Sequence, residues 1–102
     1  MLDIQLIRQY NKPECLVVTE HARKRLIERE ISISDIVAVI DNGEIIRQYE
    51  DDSPFPSCLV LGLTVEGRCL HVVVSYDNGF VYIITAYVPS KNIWNEDLKT
   101  KK

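Results

Sequence analysis

Three side chains spaced four residues apart carry the first hint of chemistry. His21, Arg25 and Arg29 lie within Thr19-Glu-His-Ala-Arg-Lys-Arg-Leu-Ile-Glu-Arg29. If this stretch is helical, they fall at about 0°, 40° and 80° on the helical wheel, with Ala22 and Leu26 following at about 100° and 140°. The stripe therefore borders the face that packs on the core. An imidazole moves protons near neutral pH, and guanidinium groups clamp phosphate oxygens. That combination suits a phosphate-bearing substrate. The plainer alternative is a solvated surface helix.

A second histidine extends the argument. His71 lies in the run Arg68 to Tyr76, which alternates like a strand. Two histidines and several arginines contain the parts for acid–base cleavage of a phosphodiester. RNA supplies its own 2′-hydroxyl nucleophile, so the protein needs a base, an acid and cations for the transition state. The reading calls for no metal and no other cofactor. The two histidines have no close Cys, Asp or Glu pattern that would specify zinc, and there is no glycine-rich phosphate loop or serine elbow. Tyr87 and Trp94, near Thr85 at the end of the last strand, offer rings on which a base can stack.

These residues need a scaffold, and the chain has the length of one domain, 1–102. Leu2 to Tyr10 has helical periodicity, and Pro13 ends it. Leu16 to Thr19 is a short β-like run whose last residue can cap the His/Arg helix. Ser32 and Asp35 form a capping-box pattern, with Ile31 and Ile36 placed as a hydrophobic staple. Gly43 stops that helix. Four strands follow: Glu44 to Tyr49, Ser57 to Val65, Arg68 to Tyr76 and Phe80 to Val88. Glu66-Gly67 and Asn78-Gly79 are two-residue turn signals. Asn92 to Leu98 reads as a final helical turn. The expected fold is α+β, with N-terminal helices on one face of a four-stranded, mostly antiparallel sheet.

Two-residue turns give a register, which a one-residue bulge would swap from face to face. It aligns Leu63, Leu70 and Tyr87, then Leu61, Val72 and Thr85, then Leu59, Val74 and Ile83, on the face that carries the helices. The opposite face aligns Gly62, His71 and Ala86, then Val60, Val73 and Ile84, then Cys58, Ser75 and Tyr82. His71 is thus expected in a solvent-reachable recess between small neighbours, titrating near about 6.5; the plainer alternative is a half-buried strand histidine bonded to backbone. Gly62→Val is expected to cover it without harm to the fold.

Charge and cysteine content narrow the class. The net charge of −3 does not favour nucleic acid, which wants a basic footprint. The charge is uneven, however. Cations cluster at Arg23, Lys24, Arg25 and Arg29, and acids at Glu50-Asp51-Asp52 beside Pro54 and Pro56. Cys15, Cys58 and Cys69 are scattered and odd in number, which argues against a disulfide framework; Cys58 and Cys69, in strand-like runs, are expected as buried free thiols. With no apolar run of spanning length and no leader pattern at Met1, the expectation is a cytoplasmic protein that does not enter a membrane.

Several ordered motifs resemble those of one bacterial family. They are His21-Ala-Arg-Lys-Arg25 with Glu28-Arg29, Asp41-Asn-Gly-Glu-Ile-Ile46, Pro54-Phe-Pro-Ser-Cys58, Leu70-His-Val-Val73, and Ile84-Thr-Ala-Tyr-Val-Pro89 with Trp94. The family is the domain of unknown function numbered forty-two fifty-eight, and the likeness runs from about Val18 to Trp94. Residues 1–17 then form a leading helix and linker, and 95–102 a charged tail. Where the family's pattern has Gly after the second arginine, this chain has Glu30, which alters the turn. Members resemble small RelE-type toxins, RelE/barnase-like in outline. They are often encoded beside a zinc-finger and helix-turn-helix protein that resembles an antitoxin.

The resemblance implies an mRNA-cleaving toxin, acting on free RNA or on the ribosome and held inactive by such a partner. Carried over by position, the motif residues are His21, Arg25, Arg29, His71, Thr85 and Tyr87. His21 or His71 would serve as base or acid, Arg25 and Arg29 would bind the scissile phosphate, and Tyr87 would orient a base or donate a hydrogen bond. Lys24, Arg47, Thr85 and Trp94 are assigned to the substrate. The rival class is a non-catalytic module that docks a protein partner through its sheet.

Overall fold

The computed structural model describes all 102 residues. Helix α1 (Ile4–Gln9) is capped by Asp3, whose carboxylate accepts from the Gln5 amide. A 3₁₀ turn, Pro13–Cys15, leads into strand β1 (Leu16–Val18). Helices α2 (Glu20–Glu28) and α3 (Ile33–Asn42) follow, and then strands β2 (Glu44–Tyr49), β3 (Ser57–Leu63), β4 (Cys69–Asp77) and β5 (Phe80–Tyr87). No helix is long and apolar enough to cross a membrane.

Local chemistry explains the helix boundaries. The Thr19 hydroxyl accepts from the Ala22 amide and starts α2. Ser32 and Asp35 satisfy each other's backbone amides at 3.0 and 2.9 Å, the reciprocal capping box expected of α3. The last carbonyls of α3 find side-chain donors. Arg8 donates to the carbonyls of Ile40 and Gly43, Asn11 to that of Val37, and Asn42 to those of Ala38 and Leu63.

The end of α2 shows what Glu30 does. The Ile31 amide donates to the Leu26 carbonyl at 2.9 Å and the Glu30 amide to that of Ile27 at 3.1 Å, the two bonds of a Schellman turn. This turn puts Glu30 at φ 56°, the left-handed region that glycine occupies without steric cost. Glu30→Gly is therefore expected to raise unfolding stability, by about 1 kcal/mol. A chemical melt reads it, and a destabilised variant would mean that the Glu30 side chain contributes more than its backbone costs.

The sheet has five strands, in the order β1-β5-β4-β3-β2. β2 to β5 pair antiparallel, as expected. The expectation of four strands is corrected by β1, which pairs parallel to β5 with Val17 opposite Tyr82. The sheet is consequently mixed. Asn78 and Gly79, at φ 49° and 84°, make the anticipated two-residue turn between Asp77 and Phe80.

The β3–β4 turn departs from expectation. Leu63 pairs with Cys69, so the connection is Thr64 to Arg68 and the register moves by one residue. Leu61 lies opposite His71, and Gly62 opposite Leu70. Two bulges complete the rearrangement. Ile84 is extra between the pairs Val73–Thr85 and Val74–Ile83, and Ile46 is extra between Ile45–Val60 and Arg47–Leu59.

The helix-bearing face is accordingly Cys58, Val60, Leu70, Val72, Val74, Val81, Ile83 and Ala86, all buried with Ile7, Leu26, Ile31, Ile36, Val39 and Ile40. Cys58 is the buried thiol expected, and burial pushes its pKa up to about 12. Cys69, expected to be buried as well, is half-exposed. The other sheet face carries His71, Val73, Ser75 and Tyr82, as expected, with Leu59, Leu61, Thr85 and Tyr87 in place of Cys58, Val60, Gly62 and Ala86. The segment after β5 crosses part of this face as turns, with a bridge from Trp94 to Lys101 where a helical turn was expected.

Candidate functional site

The helix-free face is laid out in rows across the strands. One row holds Glu44, Leu61, His71 and Tyr87. The next holds Arg47, Leu59, Val73 and Thr85, and a third holds Tyr49, Ser57, Ser75 and Tyr82. Successive rows are two strand residues apart, about 6.6 Å. The bulges at Ile46 and Ile84 bring Arg47, Thr85 and Tyr87 onto this face; without them each would turn toward the helices.

His71 stands in this row arrangement but not in the recess expected for it. Its neighbours are Leu61 and Tyr87, and it is fully buried. Trp94 packs edge-on against the imidazole, with centroids 4.5 Å apart. Nε2 lies 2.7 Å from the Leu98 carbonyl, and Nδ1 lies 3.3 Å from the Tyr87 hydroxyl. A carbonyl only accepts, so Nε2 carries the proton. In the neutral ring Nδ1 then accepts from the Tyr87 hydroxyl.

Burial holds the His71 pKa below its ordinary value, with the Leu98 carbonyl pulling the other way. The unfolded chain therefore binds the extra proton first, and stability falls as pH drops below about 6.5. The hydrogen-bonded carboxylates of Asp52 and Asp97, whose pKa values are lowered, lose their stabilising contribution only at more acid pH. A melting temperature that declines between pH 7 and 5, and flattens in His71→Gln, is expected. An equal slope in both proteins would show that His71 is not the group being titrated.

Tyr87 is half-buried, and its phenol is held un-ionised. Burial raises its pKa and Tyr49 adds to the effect, while the charges of Arg47 and Arg29 oppose it. Arg29 reaches the face from the end of α2, donating to the Thr85 hydroxyl at 3.1 Å and the Ala86 carbonyl at 2.9 Å. Arg47 lies half-buried, with Cζ 5.4 Å from the Trp94 ring centre and its buried Nε without an acceptor. Neither arginine has a carboxylate within ion-pair distance; the salt bridges of the chain lie elsewhere. Two uncompensated guanidinium groups thus flank one phenol.

The expected site residues divide accordingly. Arg29, Arg47, His71, Thr85, Tyr87 and Trp94 come together. Arg25 is exposed and paired with Glu28 at 3.6 Å, an interaction worth little in solvent. Lys24 is exposed on the side of α2 about 180° from the buried Ala22 and Leu26. His21 opens instead onto a separate groove of about 410 Å³, lined also by Val17, Asp52, Phe55, Ser75 and Tyr82. Sequence alone gives no role to the groove residues Asp52, Phe55, Ser75 and Tyr82. The signal for them was the alignment of Ser75 with Tyr82 on the face of His71.

Comparison with known families covers most of the chain. The family described as Domain of unknown function (DUF4258) matches residues 18–88, from the end of β1 to just past Tyr87. That span includes Arg29, Arg47, His71, Thr85 and Tyr87, and leaves Trp94 outside. No curated protein matches the chain.

Proposed function

The chain belongs to this family of unknown function, and from that premise we propose that it is a metal-independent endoribonuclease, the mRNA-cleaving toxin of a toxin–antitoxin pair. The observation that carries the reading is the Tyr87 phenol, backed by His71 and flanked by Arg29 and Arg47, neither of which has a carboxylate partner. Arg47 is half-buried and Arg29 exposed, and two cations on one face without counter-charge favour an anionic ligand. The forked donors of arginine match phosphate oxygens.

In this reading the RNA 2′-hydroxyl gives its proton to the Tyr87 oxygen as Tyr87 passes its own proton to His71 Nδ1. The 2′-oxygen bonds to phosphorus, and the charge developing on the non-bridging oxygens meets Arg29 and Arg47. The bond from phosphorus to the 5′-oxygen breaks, and the leaving oxygen takes a proton from water. The imidazolium then returns its proton to the Tyr87 oxygen as Tyr87 gives the one it holds to the hydroxide so formed. Tyr87 is the group that touches substrate, and His71 acts through it. An antitoxin-like partner, of the zinc-finger and helix-turn-helix kind, would silence the site by covering this face.

The test is cleavage of end-labelled single-stranded RNA by the purified chain in excess EDTA, with and without ribosomes. Products ending in 2′,3′-cyclic phosphate and 5′-hydroxyl are expected. The rival, a module that docks a protein through the same sheet without catalysis, draws on the net charge of −3. Intact RNA in both conditions, at protein concentrations that bind it, would favour the rival and end the nuclease reading.

A further inference from the structure

The groove opening beside His21 lies one row along the sheet from Arg47 and Thr85. Its floor and walls are largely apolar, from Val17, Phe55, Tyr82 and Ile84, and its volume of about 410 Å³ is that of a small-molecule site. Phe55 and Tyr82 stand 5.7 Å apart at 38°, two aromatic rings in a lining that also holds Thr19, His21 and Ser53. Polar groups are few and placed. The Asp52 carboxylate is fixed by the Ser57 hydroxyl at 2.6 Å on one oxygen and the Ser53 amide at 2.9 Å on the other. A carboxylate offers about four lone-pair positions. One on each oxygen is therefore still free. Ser75 is 3% exposed and lines the groove, yet its hydroxyl makes no hydrogen bond within the chain.

We infer that this groove is a nucleobase subsite selective for guanine, placed to take a base next to the phosphate held by Arg29 and Arg47. The inference rests on the nuclease reading for that phosphate, but its own support is the chemistry of the groove. Unstacked bases lie against aromatic side chains and are read on their Watson–Crick edges. Guanine presents two adjacent donors, N1–H and the N2 amino group, beside the O6 acceptor. Asp52 supplies two adjacent acceptors, and the unpartnered Ser75 hydroxyl supplies a donor for O6. Adenine, cytosine and uracil each offer this carboxylate a single donor group. The ionised state suits the role: both hydrogen bonds hold the Asp52 pKa below the ordinary carboxylate range. A protein side chain with a forked donor would satisfy the same carboxylate, but it would not use the aromatic walls and the Ser75 donor together.

Binding of 2′-O-methyl hexanucleotides, which resist cleavage, separates the cases by fluorescence anisotropy. Uracil hexamers carrying one guanine, adenine or cytosine are the probes. The guanine hexamer is expected to bind about tenfold more tightly than the others, the scale of one bidentate base contact. Asp52→Asn and Ser75→Ala are each expected to bring that ratio below about threefold while keeping a cooperative melt, and Phe55→Leu to weaken all hexamers alike. Two variants guard against one failing to fold. Equal binding of all hexamers, or a guanine ratio unchanged in both variants, would overturn the subsite even if RNA is cleaved. A guanine preference that depends on Asp52, in a protein that cleaves nothing, would uphold the subsite and remove the nuclease reading alone. Absence of binding by any hexamer would overturn both.

Discussion

Gly62→Val is expected to leave the chain without a stable fold. A Cβ at residue 62 would lie 2.5 Å from the Val39 carbonyl oxygen, 3.0 Å from Val39 Cγ1 and 3.1 Å from Asn42 Oδ1. The first of these is backbone in the middle of α3, and it has no rotamer to change. α3 itself is held at both ends, by its capping box and by the donors from Arg8, Asn11 and Asn42. Relief therefore requires the helix to lift from β3, which exposes Val39, Ile40 and Val60. Alanine at this position already carries the clash and should cost about 1–3 kcal/mol. Valine adds two methyl groups against a fixed wall and should exceed about 4 kcal/mol, a large share of the roughly 5–15 kcal/mol that holds a domain folded. Gly67→Ala is the matched control: nothing lies within 4 Å of a Cβ there, and only the φ of 84° is unfavourable. Urea melts of the three variants should rank Gly67→Ala, Gly62→Ala and Gly62→Val in order of increasing damage. A cooperative melt for Gly62→Val near that of the parent would mean that α3 does not rest on β3 at Val39.

This expectation reverses the one drawn from sequence, and the cause is a single residue of register. Glu66-Gly67 reads as a two-residue turn, and that turn would put Gly62 beside His71 on the helix-free face. Thr64 changes the outcome: its backbone amide donates to the Arg68 carbonyl and its hydroxyl accepts from the Arg68 amide, closing a five-residue connection. With a side-chain period of two, a shift of one residue exchanges every inward and outward assignment along β3, while β4 keeps its own. Local signals with their own chemistry were legible: the Thr19 cap, the Ser32–Asp35 box, the Asn78-Gly79 turn, and the order of helices and strands. Pairings set by distant partners were not. Nothing local to Leu16–Val18 names β5 as its neighbour, and the bulges at Ile46 and Ile84 follow from cross-strand packing.

The candidate site divides in the same way. Residue types with evident chemistry could be chosen from sequence, and Arg29, His71, Thr85 and Tyr87 do assemble. Their roles depend on register and burial, so His71 moved from an exposed recess to a position behind Tyr87. His21 and Arg25 share the α2 stripe, yet the stripe turns with the helix. Only Arg29, the member nearest the buried Leu26 on the wheel, reaches the sheet.

Tyr87→Phe, the change that removes one oxygen from this site, should separate chemistry from architecture. If the nuclease reading holds, the variant loses the atom that receives the 2′-hydroxyl proton, and cleavage should fall by about 10²- to 10⁴-fold, the span of a positioned acid–base group. The ring remains, so its edge contact with His71, at 5.3 Å between centroids, and its burial are kept. The cost to stability is one hydrogen bond to His71 Nδ1, about 1 kcal/mol. Binding of uncleavable RNA should scarcely change, because Arg29 and Arg47 hold the phosphate.

Arg47→Lys gives the converse test. It keeps the charge but loses the planar fork and the Nε that has no acceptor within the chain. It should therefore weaken binding and lower the cleavage rate together, by about 10²-fold in rate if the guanidinium meets the transition-state charge. Three measurements on each variant decide the matter: a melt, affinity for an uncleavable RNA, and the single-turnover cleavage rate. Tyr87→Phe cleaving at the parental rate would remove the phenol from the chemistry. A parallel loss of folding in both variants would make the cluster a structural element of the sheet, with Trp94 and His71 as its core.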